Sequence, residues 1–418
     1  MTDVRCLPIK ACRSCGSSDI TPILSFSPTA LCESYSTEPS EDDCYPLELS
    51  LCSICCLLQA NHVIPDGEVF RHYYRNSLSI SRDSRYIDDY VTDVIFRWNE
   101  TRNPFVVQIG SHDGGLLASF KEAGCRVLGV ESNKWLAQIG VSKGIETKAV
   151  HFGPTITRAL IEEYGYADVV LIDNSFGSQH PDHIANIQKP ATYAAAVFDL
   201  LAEDGLLAVQ TNDIKKMLNG GVFDLFYHEH CSYFSQNSIC KLFVSVGLGL
   251  VDVDTMDKNS VASRFFFKKL ARPDSKTNNS QIIMNCGESR TDRLCQLKVY
   301  KTFRAQVEKK KISLLSELDR YAGCHIVGYG ASASSTTLIY EFELADYLDF
   351  LVDDNPNRVG TYSPGWNLPV KGVDYLYEEE IDLILILAWR YAEIIKSKHP
   401  MLQSKMLVAN EASAYHSE

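Results

Sequence analysis

The stretch Pro104-Phe-Val-Val-Gln-Ile-Gly-Ser-His-Asp-Gly-Gly115 runs from an apolar segment directly into a glycine-rich turn. Its apolar part, 104–109, has the composition of a buried strand, and residues 116–123 continue as a helix. A strand that ends in glycines and opens a helix brings backbone amides close to a ligand, and the helix N-terminus favours negative charge. The stretch therefore predicts an α/β fold with a parallel sheet and a nucleotide-like ligand at this turn.

A second predicted strand, Arg126-Val-Leu-Gly-Val130, ends at Glu131, which lies 21 residues after Gly110. An acidic side chain at that distance can accept both hydroxyls of an adenosine ribose. A third apolar run, 167–172, leads to Asp173-Asn174, and 200–209 supplies the next turn and strand. Because parallel strands end at one edge of a sheet, we expect these polar residues to line one crevice.

The loop itself is not a Gly-x-Gly-x-x-Gly fingerprint. It reads Glu/Gln-x-Gly-x-x-Asp-Gly, the way methyltransferases approach S-adenosylmethionine (SAM); an NAD site and an ordinary strand turn are the alternatives. The residues predicted to bind this cofactor are Gly110, Asp113, Gly114, Glu131 and Asn174.

The cysteines are concentrated at the start of the chain, where eight of the 14 precede residue 57. Without an export signal, disulfides explain this poorly and metal ligation explains it better. Cys12-Arg-Ser-Cys15 and Cys52-Ser-Ile-Cys55 form two Cys-x-x-Cys knuckles, which predict a closed, structural Cys₄ zinc site. Cys56 could replace Cys55, and a loop that includes 45–47 must span the gap between the knuckles; scattered free thiols are the alternative.

Length, charge and hydropathy limit the possible partners. A chain of 418 residues predicts two or three domains. The net charge of −13, with no basic run, argues against a nucleic-acid groove or an anionic membrane surface as partner and favours small, discrete ligands. There is no apolar stretch of about 18 residues, and the first residues lack an apolar signal region, so we expect a cytoplasmic protein. The oligomeric state is not predictable from these data.

The last third of the chain repeats the strand–glycine–helix layout. A polar stretch near 271–290 precedes a long amphipathic helix over 294–321. His325-Ile-Val-Gly-Tyr-Gly-Ala-Ser332 then opens a second crevice, and Phe350-Leu-Val352 reaches Asp353-Asp354. The alternative is that the C-terminal part repeats the fold only for packing and has no ligand in this crevice. After a further predicted strand, 383–387, Trp389 either lines a cleft or fills core.

Several segments, in this order, resemble the sugar C-methyltransferases of deoxysugar biosynthesis. They are the two knuckles, Val107–Gly114, Gly220–Ser235, Gly328–Ala331, Val352–Pro356 and Leu387–Tyr391. The resemblance implies a small zinc-binding domain (1–70), a central Rossmann-like methyltransferase domain (71–270), a linker and long helix (271–320) and a C-terminal Rossmann-like domain (321–418). It also implies a nucleotide-linked 4-keto-6-deoxy sugar as substrate, methylated at carbon 3. The second crevice then suits the nucleotide-sugar, with His180, Gly330, Ser332 and Asp354 predicted to bind it.

The segment Tyr227-His-Glu-His230 offers the groups that such a reaction needs. A carbon beside a ketone must lose a proton before it can be methylated, so a base and a donor to the enolate oxygen are required. By the resemblance we predict His230 as the base, with Tyr227 and Glu229 lining the site and His228 as second choice. If the segment starts a helix, at most one of the two histidines faces the sugar. A cluster of hydrogen-bonded surface histidines is the alternative, and a metal held by His-x-His is a weaker one.

Departures from the family pattern keep other functions open. Gln108 and His112 stand where the family has glutamate and asparagine, and Gln179 stands in the place of a histidine, with His180 one position late. The segment 259–264 keeps only a serine and an arginine of a glycine-rich motif. The alternatives are a related methyltransferase acting on another activated carbonyl or a hydroxyl, and a non-catalytic nucleotide-binding protein of this fold, with nicotinamide chemistry in the second crevice as a minor variant.

Overall fold

The computed structural model describes residues 6–64, 84–100, 102–173, 190–256, 260–270, 293–378 and 380–410. These ranges form a four-stranded, a seven-stranded and a five-stranded sheet, together with one two-stranded pair. Asn174, Gln179, His180 and Asn259, which the sequence analysis singled out, lie outside the described residues. Among the described helices, none is long and apolar enough to cross a membrane.

The N-terminal part is antiparallel. Its strands are β1 (Leu7–Pro8), β2 (Ile20–Thr29), β3 (Tyr45–Cys52), β4 (Leu58–Ala60) and β5 (His62–Val63). The hydrogen-bonded order is β4-β3-β2, while β1 pairs with β5. The expectation of a loop at 45–47 is wrong: these residues open β3, because Tyr45, Leu47, Leu49 and Leu51 alternate onto the buried face and hold the segment in the sheet.

The central part carries the long sheet. Its helices are α1 (Ser84–Trp98), α2 (Gly115–Glu122), α3 (Lys134–Ser142), α4 (Pro154–Tyr164), α5 (Pro190–Leu200), α6 (Ile214–Gly220) and α7 (Gln236–Val244). Its strands are β6 (Phe105–Ile109), β7 (Arg126–Val130), β8 (Thr147–Lys148), β9 (Ala167–Asp173), β10 (Leu201–Asn212), β11 (Ser232–Tyr233), β12 (Leu248–Asp254) and β13 (Ala262–Lys269). All of these strands except β11 join the seven-stranded sheet; β11 instead extends the N-terminal sheet by pairing with β4.

The strand order of this sheet explains where a ligand can enter. The order is β12-β13-β10-β9-β6-β7-β8, with parallel pairing from β10 to β8 and antiparallel pairing of β13 with both of its neighbours. The chain turns one way after β6 and the other way after β9, so a crevice opens between the carboxyl ends of these two strands. The predicted strand at 126–130 is confirmed residue for residue.

The C-terminal part repeats this plan in a smaller, wholly parallel sheet of order β16-β15-β14-β17-β18. Its strands are β14 (Ile326–Tyr329), β15 (Phe350–Asp353), β16 (Val370–Gly372), β17 (Leu383–Ile386) and β18 (Met406–Val408). Its helices are α8 (Leu297–Leu318), α9 (Ala333–Phe342), α10 (Tyr375–Glu378) and α11 (Ala392–Lys398). The predicted amphipathic helix is confirmed as α8, whose buried face includes Tyr300, Phe303 and Val307.

One hydrophobic core joins the three parts. The ring of Phe26, on β2, stacks on that of Phe226 with 5.5 Å between centroids, and the ring of Phe223 stacks on that of Phe342, on α9, at 4.8 Å. Phe223 and Phe226 belong to the segment 221–231, hereafter the junction loop, which connects α6 to β11. The junction loop is therefore packed between the N-terminal and C-terminal sheets, and its polar residues are held where all three parts meet.

Candidate active site

The four predicted zinc ligands come together. The sulfurs of Cys12, Cys15, Cys52 and Cys55 all lie within 4.8 Å of one another, with Cys12 Sγ 3.4 Å from Cys55 Sγ and Cys15 Sγ 3.6 Å from Cys52 Sγ. Four thiolates at about 2.3 Å from one ion stand about 3.8 Å apart, so these sulfurs fit tetrahedral zinc with no open position. Such a site is structural, because no ligand position is left for a substrate.

The cluster settles which cysteine is the fourth ligand. Cys55 belongs to it, whereas Cys56 forms a disulfide with Cys295, just before α8. Each knuckle turns at the residue that follows its second cysteine: Gly16 has φ 74° and Cys56 has φ 60°. Disulfides were expected to be a poor explanation for these cysteines, and Cys56 is an exception, since its partner lies 239 positions distant in sequence.

The predicted SAM loop has the conformation that close backbone approach requires. Gly110, His112 and Gly114 have φ of 73°, 53° and 75°. Histidine, like asparagine, is enriched among non-glycine residues with positive φ, which explains why His112 can stand where the family has asparagine. Asp113 accepts a hydrogen bond from the Gly115 amide and is paired with Lys143. The hydrogen bond with His112, and next the one with Lys143, holds the pKa of the Asp113 carboxyl well below its ordinary value.

Glu131 closes the loop from the end of β7. One carboxylate oxygen accepts the His112 amide at 2.8 Å, and the other accepts the Asn133 amide at 2.9 Å. A carboxylate offers about four acceptor positions, so these bonds, with a longer one from Ser132, leave capacity for a ribose hydroxyl. The arrangement fits a SAM site in which the loop amides and Glu131 face the same ligand.

A buried polar chain supports the far side of this crevice. Asp173, the last residue of β9, accepts from Gln210 Nε2 at 2.9 Å, and Gln210 Oε1 accepts from Arg264 at 3.0 Å. Arg264 also pairs with Asp93 at 3.0 Å. The preceding residue, Ser263, points to the opposite face and donates to Asp213. The retained serine and arginine of the altered 259–264 segment thus have structural partners on both faces of β13.

In the junction loop, His230 and Tyr227 form one unit. Their Nε2 and Oη atoms are 3.0 Å apart, and their rings meet edge to face at 4.8 Å. Burial lowers the pKa of His230 to about 4, so the imidazole is neutral at pH 7. Within the described residues, Nδ1 of His230 has no partner. The segment forms turns rather than a helix start, which excludes the helical geometry considered from the sequence.

Glu229 and His228 point elsewhere in the junction loop. Glu229 is 2% exposed, and burial followed by the charge of Glu33 raises its pKa to about 8. His228 Nε2 donates to the Pro46 carbonyl at 3.2 Å, and Nδ1 accepts from the Thr29 hydroxyl at 3.4 Å. Burial lowers the pKa of His228 to about 4. His228 is therefore bound to the N-terminal sheet and is not directed at the groups around His230.

The second crevice has the same loop geometry as the first. Gly330 has φ 116°, and a Cβ there would lie 2.8 Å from that of Ala388, so both conformation and space require glycine. Asp353 accepts the Ala331 amide at 2.6 Å and the Asn355 amide at 2.7 Å, which matches the bonds of Glu131.

The other residues predicted for this crevice occupy different positions. Ser332 caps α9 through the Ser335 amide. Asp354 is instead engaged by the Tyr329 hydroxyl at 3.0 Å and by Lys398 at 2.9 Å. The carboxylate that supports the loop is therefore that of Asp353, which the site prediction omitted in favour of its neighbour.

Trp389 connects this crevice to the junction loop. Its indole nitrogen donates to Asp224 at 3.0 Å, and Arg390 pairs with the same oxygen at 2.8 Å. Arg390 also reaches the Ser334 hydroxyl at 3.3 Å. Asp224 is fully buried, so these bonds anchor the start of the junction loop on the C-terminal sheet. Asp224 was missed from the sequence, although it lies within the segment that carried the resemblance.

Comparison with known proteins agrees with this arrangement. Residues 12–70 match the sequence model of a zinc binding domain, 81–253 that of a methyltransferase domain, and 264–407 that of a C-methyltransferase C-terminal domain. C-methyltransferase NovU of Streptomyces niveus is 30% identical over 407 residues, covering 95% of this chain and 94% of its own.

Solved structures give fainter likenesses. The CcbJ methyltransferase of Streptomyces caelestis is 13% identical, with TM-score 0.34, over 44% of this chain and 90% of its own. The magnesium protoporphyrin IX methyltransferase of Synechocystis PCC 6803, solved with bound SAM, is 11% identical, with TM-score 0.32, over 44% of this chain and 78% of its own.

The methyltransferase domain and the Cys₄ cluster define a SAM-dependent methyltransferase with an N-terminal structural zinc site. The chain belongs to the C-methyltransferase family. It is therefore an enzyme that transfers the methyl group of SAM to carbon, which decides against the hydroxyl acceptor, the nicotinamide reaction and the non-catalytic protein considered from the sequence.

Proposed function

We propose that this enzyme methylates the carbon next to the ketone of a nucleotide-linked 4-keto-6-deoxy sugar, through an enolate that His230 generates. The observation that carries the proposal is the Tyr227–His230 pair, a half-buried neutral imidazole hydrogen bonded to a phenol where the three parts meet. Transfer of a methyl group to carbon requires a carbon nucleophile. A carbon beside a ketone becomes one only when a base removes its proton and a donor holds the enolate oxygen.

The hydrogen bonding of the pair suggests how the two side chains divide the work. When His230 Nε2–H donates to the Tyr227 oxygen, the lone pair of the imidazole lies on Nδ1, which is the atom that takes the proton from carbon. The Tyr227 hydroxyl hydrogen is then directed at the enolate oxygen. The imidazole is neutral at pH 7, because burial lowers the pKa of His230 to about 4, and its lone pair is available to accept a proton. The proton later leaves His230 for solvent.

The methyl donor is assigned to the first crevice. The residues that would hold SAM are Gly110, Asp113, Gly114 and Glu131, with Asn174 proposed beside them from the sequence. SAM, when bound, supplies an electrophilic methyl group on a sulfonium sulfur. The loop amides and the Glu131 carboxylate orient the ligand, and the neighbouring network of Asp173, Gln210 and Arg264 keeps the crevice wall in place.

The nucleotide part of the acceptor is assigned to the second crevice. Gly330, Ser332 and the first turn of α9 present backbone amides that suit a pyrophosphate, as helix N-termini do. Asp354 and His180 are proposed to contact the substrate from the sequence, and Asp353 supports the loop. The link from Trp389 to Asp224 would place this crevice at a constant distance from the junction loop.

Solvent deuterium exchange tests the proposal. The nucleotide 4-keto sugar is incubated in D₂O with enzyme and S-adenosylhomocysteine, which replaces the methyl donor, and deuterium at the carbon beside the ketone is followed by mass spectrometry. We expect exchange with the wild type and none with His230→Ala, which should still bind S-adenosylhomocysteine in calorimetry. The matched control is His325→Ala. His325 directly precedes β14 and therefore lies at the amino ends of the strands, whereas the second crevice lies at their carboxyl ends. Exchange that persists in His230→Ala would refute the assignment of the base.

A further inference from the structure

A three-residue contact joins the junction loop to both outer sheets. Glu33 follows β2 in the N-terminal part, and its backbone amide donates to Glu229 Oε1 at 3.3 Å. Its side chain pairs with the Arg358 guanidinium, which lies in the turn after β15. Residues from all three parts of the chain are therefore linked in series, from Glu229 through Glu33 to Arg358.

The pair is buried and sterically held. Arg358 is 4% exposed, and its guanidinium lies 4.1 Å from the centre of the Tyr35 ring. The Tyr35 hydroxyl in turn contacts Ser332 and Thr336 at the start of α9. A planar guanidinium stacked on an aromatic ring has little freedom to turn, so Arg358 stays paired with Glu33.

Two polar atoms of this cluster have no hydrogen-bond partner among the described residues: Glu229 Oε2 and Arg358 Nη1. A buried polar atom without a partner costs about 1–3 kcal/mol, so native proteins keep such atoms mainly where a ligand or solvent completes them. The Glu229 carboxyl lies against Glu33, whose partner Arg358 stacks on Tyr35, and Tyr35 contacts Ser332 in the loop of the second crevice. A bound acceptor would supply the partners that these two atoms lack.

We propose that Glu33 and Arg358 are positioning residues that keep Glu229 as an uncharged acid whose Oε2–H donates to the acceptor. The reason is charge balance: Arg358 is neutralised by Glu33, so no net positive charge is left to ionise Glu229. The inference rests on the proposed function for the identity of the acceptor, but the protonation of Glu229 is measurable without it.

Every charged or titratable group that is known to face Glu229 enters this balance. Glu33 and the Cys32 thiol face it from the segment after β2, and Arg358 faces it from the turn after β15. Cys231 and Tyr233 face it from its own chain segment. Burial raises the pKa of each of these thiols and of the Tyr233 hydroxyl, so all three are neutral at pH 7 and only Glu33 and Arg358 are charged. Removing the Glu33 charge leaves Arg358 unopposed beside Glu229.

The test is Glu33→Gln, with Glu33→Asp as the conservative variant and Asp42→Asn as the matched control. Asp42 also connects the N-terminal and C-terminal parts, through the Gly365 amide at 2.8 Å, but it is not among the groups that face Glu229. In wild type, an infrared band of a protonated carboxyl that disappears in Glu229→Gln should titrate near pH 8. In Glu33→Gln this band should be lost at pH 7, whereas Glu33→Asp and Asp42→Asn should retain it.

Turnover gives a second, independent readout. The alkaline limb of the profile of kcat/KM against pH should move at least one pH unit lower in Glu33→Gln, which lowers kcat/KM at pH 8 at least about fivefold and leaves the affinity for SAM unchanged. A purely structural role would lower the melting temperature without moving this limb. An unshifted band and limb in folded Glu33→Gln would overturn the inference. A shifted band in an enzyme that does not methylate the keto sugar would instead refute only the proposed acceptor.

Discussion

His228 and His230 are two residues apart and both are neutral at pH 7, but His228 is buried and His230 only half-buried, and we expect their removal to have opposite effects. Replacing His228 by alanine leaves the Pro46 carbonyl and the fully buried Thr29 hydroxyl without their partner. Each unpaired group costs about 1–3 kcal/mol, so the loss should be about 3–5 kcal/mol of the free energy of unfolding. A typical domain has about 5–15 kcal/mol in total, and the effect should therefore be large.

His230→Ala removes one hydrogen bond to the partly exposed Tyr227 and should cost only about 1 kcal/mol of stability. Its effect on turnover should be much larger, because loss of a general base lowers kcat by about 10²–10⁴-fold. The assay pairs urea unfolding, followed by fluorescence and circular dichroism, with methyl transfer at pH 7.5. Wild-type stability with lost turnover in His228→Ala, together with the reverse in His230→Ala, would refute the assignment.

The free energy of unfolding that His228 contributes should depend on pH. The folded-state pKa of His228 is about 4, against 6.5 when unfolded, so the unfolded chain binds the proton more readily between these values. The contribution of neutral His228 to the free energy of unfolding is fully present above pH 6.5. It falls by about 3 kcal/mol as the pH drops to 4. His228→Gln, which does not titrate, should show an acid dependence that is smaller by about this amount.

The remaining predictions concern the metal, the cofactor and the disulfide. Cys15→Ser and Cys52→Ser should reduce zinc below one ion per chain and lower solubility before activity, as metal analysis and sedimentation would show; full zinc content in both would contradict the cluster. Glu131→Ala should weaken SAM binding at least about tenfold by calorimetry, since it removes the acceptor proposed for the ribose; unchanged affinity would exclude that role. Without reductant, alkylation of the denatured chain should find two fewer thiols than its 14 cysteines, and Cys56→Gly should free Cys295; 14 thiols in wild type would contradict the disulfide.

Local patterns allowed much of the fold to be predicted. The apolar run that ends at Val130, the glycine turns after β6 and β14 and the two knuckles are each readable within a few residues. Conformation there depends on local hydrophobicity and on positive φ, which glycine tolerates. The strand at 45–52 was missed despite its alternating apolar residues, because 45–47 was considered only as part of the loop between the two knuckles.

The site was only partly predictable, because its remaining contacts join distant segments. Glu33 and Arg358 are 325 positions apart, and nothing in either neighbourhood distinguishes them from surface charges. The same holds for Asp224 and Trp389, and for Asp353, whose role becomes evident only from the amide that it accepts. His228 and His230 look equivalent in the sequence, and the directions of their rings separate them.

The order of motifs along the chain determined the family, the metal and the two crevices, since each depends on residues within one short segment. The tertiary structure alone decided which imidazole faces the junction, which cysteine leaves the metal and which carboxylates meet at Glu229. These choices follow from how three sheets pack around one loop: burial removes water, and each polar group must then find its partner among whatever side chains the packing brings close.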